Sequence, residues 1–563
     1  MSDGYVFCDK LFNALEPQQL YAPNTFFACY NERGLYHSAQ FVLRLSPVVH
    51  GLVDSITSKT EGQEITYEEI SAYATFIHEN VHWWQHVGST VGLILSLGYP
   101  AQTHESIKSL LHLAKSREVS KSIRSWSERG FTPGNGLDDD IKHANIVINN
   151  AKDFEFFRAL VIQPENIREI LGDPYFLSVD HSFSMAYQLV VGLLKATFDP
   201  EGNYLPGIDS WNEGFTELAN EKSGEVNREK TVALYQITGL DILEGQARLI
   251  QLQFLCLSHA SSPTFGEAAQ DGYLKGVYGK AFEYFLSKVG CECPVSVEDP
   301  LIAIFLLICD ISLNSGVGLP FEIVDFDRFI YDADPKYRFV MLCGAAAFEL
   351  ESLSEIIMGY TREEYIEAAR VLTSLCDYNH PLEISEQIAD WALTQENIVQ
   401  LLSEREEFKF ARENMLVRVV FSSFVAFNVD KFKEPQFFCW AGYHLAKSSD
   451  REKDKQLWLK NLSLFTDKED DNGIFVRDFP GKSPEIIHET YSQFYASCIT
   501  YDMTRQWTFS DRPFNYDYSW LTEQHAPADM KKEVKRIFKE LYGIGPDDIK
   551  CNYVGKDSSS SSL

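Results

Sequence analysis

Between Glu69 and Glu105 the chain carries a single formally charged side chain, Glu79, counting histidine as neutral. A run of that length without charge has to be buried. A lone carboxylate inside it is costly unless it is paired or working. The run opens on a helix-start signature. Thr66 and Glu69 stand at the spacing of a capping box, and Ile65 and Ile70 at that of a hydrophobic staple. Gly88 is a reasonable stop, and nothing between these limits breaks a helix. Tyr73, Ile77, Val81 and Trp84 form an apolar stripe at helical spacing, widened by Phe76 and Trp83. Ser71 and Thr75 extend the opposite face with small residues that leave room for a cleft.

That other face carries His78, Glu79 and His82 in the pattern HExxH. Histidines at i and i+4 project from one side of a helix, so two imidazoles can grip one metal ion. The glutamate beside the first histidine can reach a water on that ion. Zinc brings such a water's pKa to near 7, and the carboxylate takes its proton as it attacks a carbonyl. The same chemistry serves other amides and esters.

The segment HENVH, uncharged inside and on both flanks, resembles the active-site helix of the zincin metallopeptidases. The resemblance implies a Zn²⁺ cofactor held by His78 and His82, Glu79 as general base, and a peptide or protein substrate. It covers this helix and one more segment of the chain. A catalytic zinc takes a third protein ligand. His86 continues the i, i+4 series but lies about 12 Å along a straight helix from His78, too far to share one ion. The metzincin extension HExxHxxGxxH is absent, because Gln85 and Gly88 occupy the decisive positions. Gluzincins draw a glutamate from a second helix, and two segments resemble it. One is Leu243-Glu244-Gly245-Gln246. The other, Asn212-Glu213-Gly214-Phe215, resembles the NEGF segment of aminopeptidase N-like enzymes, whose GxMEN signature this chain lacks. Glu244 is the preferred third ligand, because Ile237, Leu240, Leu243, Ala247, Ile250 and Phe254 make an apolar face around it. Glu213 is the alternative, at the head of a segment that soon turns polar. In both, the following glycine allows a close approach to the HExxH helix. Arg248, one turn beyond Glu244, is placed either to pair with it or to be exposed. His259 and Tyr273 lie downstream, but sequence alone assigns no group to hold a developing oxyanion.

The whole chain of 563 residues sets the frame. The expected fold class is mainly α with a small β portion near the N-terminus, where Asn24–Leu45 alternates apolar and polar residues. Helical periodicity dominates from Thr66 on. The segment CECPVSVEDP at 291–300 breaks the pattern. It suggests a zincin-like metallopeptidase region over 1–295 and a helical domain over 296–551, followed by a disordered Ser-rich tail at 552–563. Loops are expected around 132–136 and 223–227. Asp138–Asp140 reads as surface loop rather than a calcium site, and the CxC of Cys291 and Cys293 lacks a partner pair for zinc.

Asp plus Glu number 81 against 50 Lys plus Arg, a net charge of −31. Such a surface disfavours nucleic acid and anionic membranes. The one cationic cluster, Lys531, Lys532, Lys535 and Arg536, has the spacing of a solvated helix face. No apolar run is long enough to span a bilayer. The start lacks the pattern of a secretory signal, and eleven scattered cysteines fit reduced thiols, so a cytoplasmic location is expected. The competing reading is a helical interaction or scaffold protein, with an acidic face for basic partners and a structural or vestigial metal site.

Overall fold

The computed structural model describes residues 33–60, 63–116, 119–130, 138–162, 167–221 (side chains to 216), 235–259, 262–447, 449–479, 481–522 and 526–551. The loops expected around 132–136 and 223–227, the Ser-rich tail and the stretch 24–32 lie outside them. The fold is mainly α, with a small sheet at the N-terminal end of the described chain.

The sheet has four strands: β1 (Gly34–His37), β2 (Val42–Leu45), β3 (Phe465–Lys468) and β4 (Asp471–Val476), side by side in that order. β1 and β2 form an antiparallel hairpin, β3 and β4 a second one, and β2 joins β3 in parallel with Val42 opposite Phe465. The sheet is therefore built from segments more than 400 residues apart. Among the described residues, β1 is an edge strand.

Helix α1 (Pro47–Ser58) leads into α2 (Tyr67–Gly88), the HExxH helix. The capping box forms as expected: the Glu69 N–H donates to Thr66 Oγ1 at 3.3 Å, and the Thr66 N–H donates to Glu69 Oε2 at 2.8 Å. Lys59 and Ser55 also bind the Glu69 carboxylate, and together they hold its pKa down at about 2. Ile77, Val81 and Trp84 are buried and Tyr73 is half-buried. Their face is covered from the far end of the chain. Trp84 Nε1 donates to Asn461 O at 2.7 Å, Trp458 Nε1 donates to Tyr73 Oη at 2.9 Å, and the Ser463 N–H donates to Asn80 Oδ1 at 2.9 Å.

Gly88 ends α2 for a different reason from the one expected. The next residue, Ser89, is extended and caps helix α3 (Thr90–Lys115), accepting from the Gly92 N–H at 2.9 Å. What Gly88 supplies is space, since a Cβ there would lie 2.4 Å from the ring of Phe427. Helix α4 (Asp139–Ile162) packs along α3, and α5 (Gly239–Leu257) packs along α2. α5 starts from its own capping box between Thr238 and Asp241. The hydrophobic core runs on across 291–300, the segment expected to divide two regions, and includes residues from both sides of it. The cationic cluster lies on the helix Pro527–Tyr542, where Arg536 pairs with Glu533 and Glu540 and Lys535 with Asp547.

Candidate metal centre

Helical period places His78 and His82 one turn apart on α2, with Nε2 atoms 3.2 Å apart. α5 crosses this face and brings Glu244 Oε2 to 3.3 Å from both Nε2 atoms. Ligands bound about 2.0–2.2 Å from a tetrahedral ion stand roughly 3.3 Å from one another, so these separations match a shared centre. Glu244 Oε2 is buried and makes no hydrogen bond despite its two imidazole neighbours. The three atoms stand at nearly equal separations of 3.2–3.3 Å.

The orientation of His82 is fixed from behind. Its Nδ1 lies 2.8 Å from Gln85 Oε1, and the Gln85 amide donates to Leu243 O at 2.8 Å and Gln246 Oε1 at 2.9 Å. With the amide nitrogen spent on α5, Gln85 Oε1 is left to accept from His82 Nδ1–H. In the neutral ring Nε2 then presents its lone pair. The same glutamine staples α2 to α5 beside Glu244.

Glu79 is buried, and its carboxylate comes within 4.8 Å of ligand atoms of both histidines. β1 crosses over it: a Cβ on Gly34 would lie 2.7 Å from Glu79 Cγ. Arg33 Nε donates to Thr75 Oγ1 at 3.2 Å, anchoring the start of β1 on the small-residue face of α2.

Charge is balanced locally. Burial works against the charged form of His82, but the adjacent carboxylates of Glu244 and Glu79 outweigh it and raise the pKa to about 9. Burial lowers His78 to about 4, against the pull of Glu244. Burial would raise Glu244, yet the two imidazoles hold it well below the usual carboxylate range.

The other expected residues fall as follows. Glu213 is exposed in the first turn of the helix Trp211–Glu221 and does not join the two histidines. Gly245 does not serve the contact with α2. It faces Phe305 and Ala281, with its ideal Cβ 3.3 Å from the Phe305 ring. Arg248 bonds Gln251 at 2.5 Å and lies over the Tyr278 ring at 3.9 Å, rather than pairing with Glu244. His86 is one turn past His82. Its Nδ1 lies 2.9 Å from His82 O and its ring packs against Tyr36. Tyr273 lies against Arg248, and His259 is exposed. Cys291 and Cys293 are free, with Cys293 exposed.

A pocket of about 350 Å³ opens on the site. Sequence reasoning missed much of its lining. Tyr278 packs its ring 5.9 Å from that of His78, and Gly34, Tyr36, Arg158 and Tyr501 come from elements distant in sequence. None lies in a motif, and only packing brings them here. A second grouping of potential ligands, His112, Asp139 and His143, sits partly exposed between α3 and α4. There the carboxylate stands 3.8 and 3.9 Å from the imidazoles, and His112 is already engaged by Asp140 at 2.7 Å.

No family model matches the chain, and no curated protein or solved structure was found to be similar to it.

Proposed function

We propose that this chain is a zinc-dependent hydrolase of peptide bonds, with His78, His82 and Glu244 as metal ligands and Glu79 as general base. The observation that carries the reading is the convergence of three donor atoms, 3.2–3.3 Å apart, beside a fourth, buried carboxylate in an open pocket. The chemistry a zinc ion supplies when bound there is Lewis acidity toward a water and a carbonyl. The chain's own residues do the rest. Gln85 holds His82 in the tautomer that offers Nε2. Glu79 takes a proton from water and passes it to the leaving amine, a role typically worth about 10²–10⁴ in rate. Gly34, Leu35 and Tyr36 of the edge strand border the pocket, so an extended peptide can lie along β1 with its bond near Glu79.

The test is made on one preparation in a His112→Ala background, which removes the second grouping as a source of metal. Bound zinc is measured by mass spectrometry, and turnover with a mixed peptide library. About one zinc per chain is expected, lost in His78→Ala and His82→Ala. Glu79→Gln should keep the zinc and lose at least about 10²-fold in turnover. A chain that takes up no zinc when it is supplied, or a Glu79→Gln variant as fast as its parent, overturns the reading.

A further inference from the structure

The pocket is lined by a cation that no described residue pairs with. Arg158, half-buried near the C-terminal end of α4, lines the same cavity as His78, Glu79, His82 and Glu244, and among the described residues it has no hydrogen bond or ion pair. The acids nearest to it on α4 are committed elsewhere. Glu155 Oε1 accepts from Arg505 at 3.0 Å, its other oxygen lies 3.6 Å from Lys152, and Asp153 faces His181 at 3.2 Å. Among the described residues, the carboxylates lining the pocket are Glu79 and Glu244, and Glu244 faces His78 and His82. A guanidinium is rarely left half-buried without an acceptor, because its five donors pay a desolvation cost that no partner returns.

A second observation points to the same region. The hydroxyl of Tyr36, a pocket-lining residue on β1, is buried without a hydrogen-bond partner. The Tyr36 ring packs on His86, and both line the cavity that Arg158 also lines. Two donors without a partner among the described residues therefore line the cavity together with His86, one helical turn past His82. One turn is about 5.4 Å, and an extended peptide covers about 3.3 Å per residue. A group held there belongs to a substrate position one or two residues from the bond placed at the metal ligands.

We infer that this end of the pocket is an anion subsite: Arg158, assisted by Tyr36, binds a carboxylate of the peptide substrate one or two residues from the scissile bond. The inference rests on the peptidase reading for what the substrate is. The carboxylate comes either from the peptide's C-terminus or from an Asp or Glu side chain, and both present the same planar acceptor to a guanidinium. An otherwise strongly acidic chain carries here a positive group inside a cavity, where it selects for negative charge by contact rather than by long-range attraction.

Binding is measured, not turnover, with the full-length zinc-loaded Glu79→Gln protein and fluorescently tagged hexapeptide libraries. Four libraries are compared: with and without Asp and Glu, each as free acid and as C-terminal amide. The fully neutral library should bind about 10–100-fold more weakly than at least one acid-bearing library. Loss on amidation identifies the chain terminus as the source, and loss on removing Asp and Glu identifies a side chain. Arg158→Gln should erase the difference and Arg158→Lys should keep part of it, with each variant's fold checked by its melting curve. Equal binding of all four libraries, a preference that survives Arg158→Gln, or binding of none overturns the subsite. Turnover of the same libraries by the unmutated chain is scored separately. If nothing is cleaved while the preference persists, the peptidase reading fails and the subsite stands.

Discussion

At the scale of single residues, the candidate site depends on side chains other than the proposed ligands. Gln85 is the clearest. Its carbonyl oxygen meets His82 Nδ1, and its amide binds two acceptors on α5. Replacing it by leucine keeps the volume but leaves His82 Nδ1 without a partner and the ring free to change tautomer. The expected result is a zinc affinity about 10–100-fold lower, the usual cost of losing such a partner, with His78, His82 and Glu244 intact. A competition titration with a chromophoric chelator reads it, and an unchanged affinity would remove Gln85 from the account. Residues of this kind are hard to see in a sequence. His78, Glu79 and His82 were legible because helical period alone sets them on one face. Gln85 lies on the same helix, but its role follows from the path of α5. Arg158 and Tyr278 belong to segments whose distance from the motif, in sequence, carries no sign of their closeness in space.

Among elements, two crossings make the site: α5 across α2, and β1 across α2. The first was partly legible. The apolar face around Glu244 announced a buried helix, and burying it against α2 leaves Glu244 pointing at the two histidines. The reason given for Gly245 was mistaken, because a glycine in a packed helix marks a close approach without saying to which neighbour. Here it is the helix Pro300–Leu313, which carries Phe305. The second crossing could not be read at all, since a four-residue strand bears no mark of what it will cover. It has a direct consequence. Gly34 lies so close over Glu79 that a side chain there must displace the carboxylate. Gly34→Val should therefore retain zinc and lose about 10²-fold or more in peptide turnover, approaching the Glu79→Gln variant. Zinc content and turnover on the same sample decide the matter. A Gly34→Val protein with full activity would show that Glu79 does its work from another position, or none.

Over the whole molecule, the described half that bears the HExxH helix is completed by the other half. β2 continues into β3 across more than 400 residues of chain. Arg44, fully buried on β2, donates to Asn472 O at 2.5 Å and to Trp520 O at 2.8 Å. Asp467 on β3 accepts from the Leu45 N–H at 3.1 Å and lies 2.6 Å from His50 Nε2. Trp84 packs against Phe427, Phe437, Phe438 and Trp458, Phe41 against Phe494, and Phe198 against Phe421. Burying a large apolar side chain is worth about 1.5–3 kcal/mol. Exposing Trp84, Phe41 and Phe198 alone would thus cost about 5–9 kcal/mol, comparable with the whole stability of a typical domain, about 5–15 kcal/mol. Arg44 would lose both carbonyl acceptors as well. The chain on either side of 291–300 is then expected to unfold together. Calorimetry of the full chain should give one cooperative transition, and a fragment ending at residue 295 should show no dispersed amide spectrum and no stoichiometric zinc. A folded, zinc-binding 1–295 fragment, or two well-separated transitions in the full chain, would mean that these contacts join two bodies that are each stable alone.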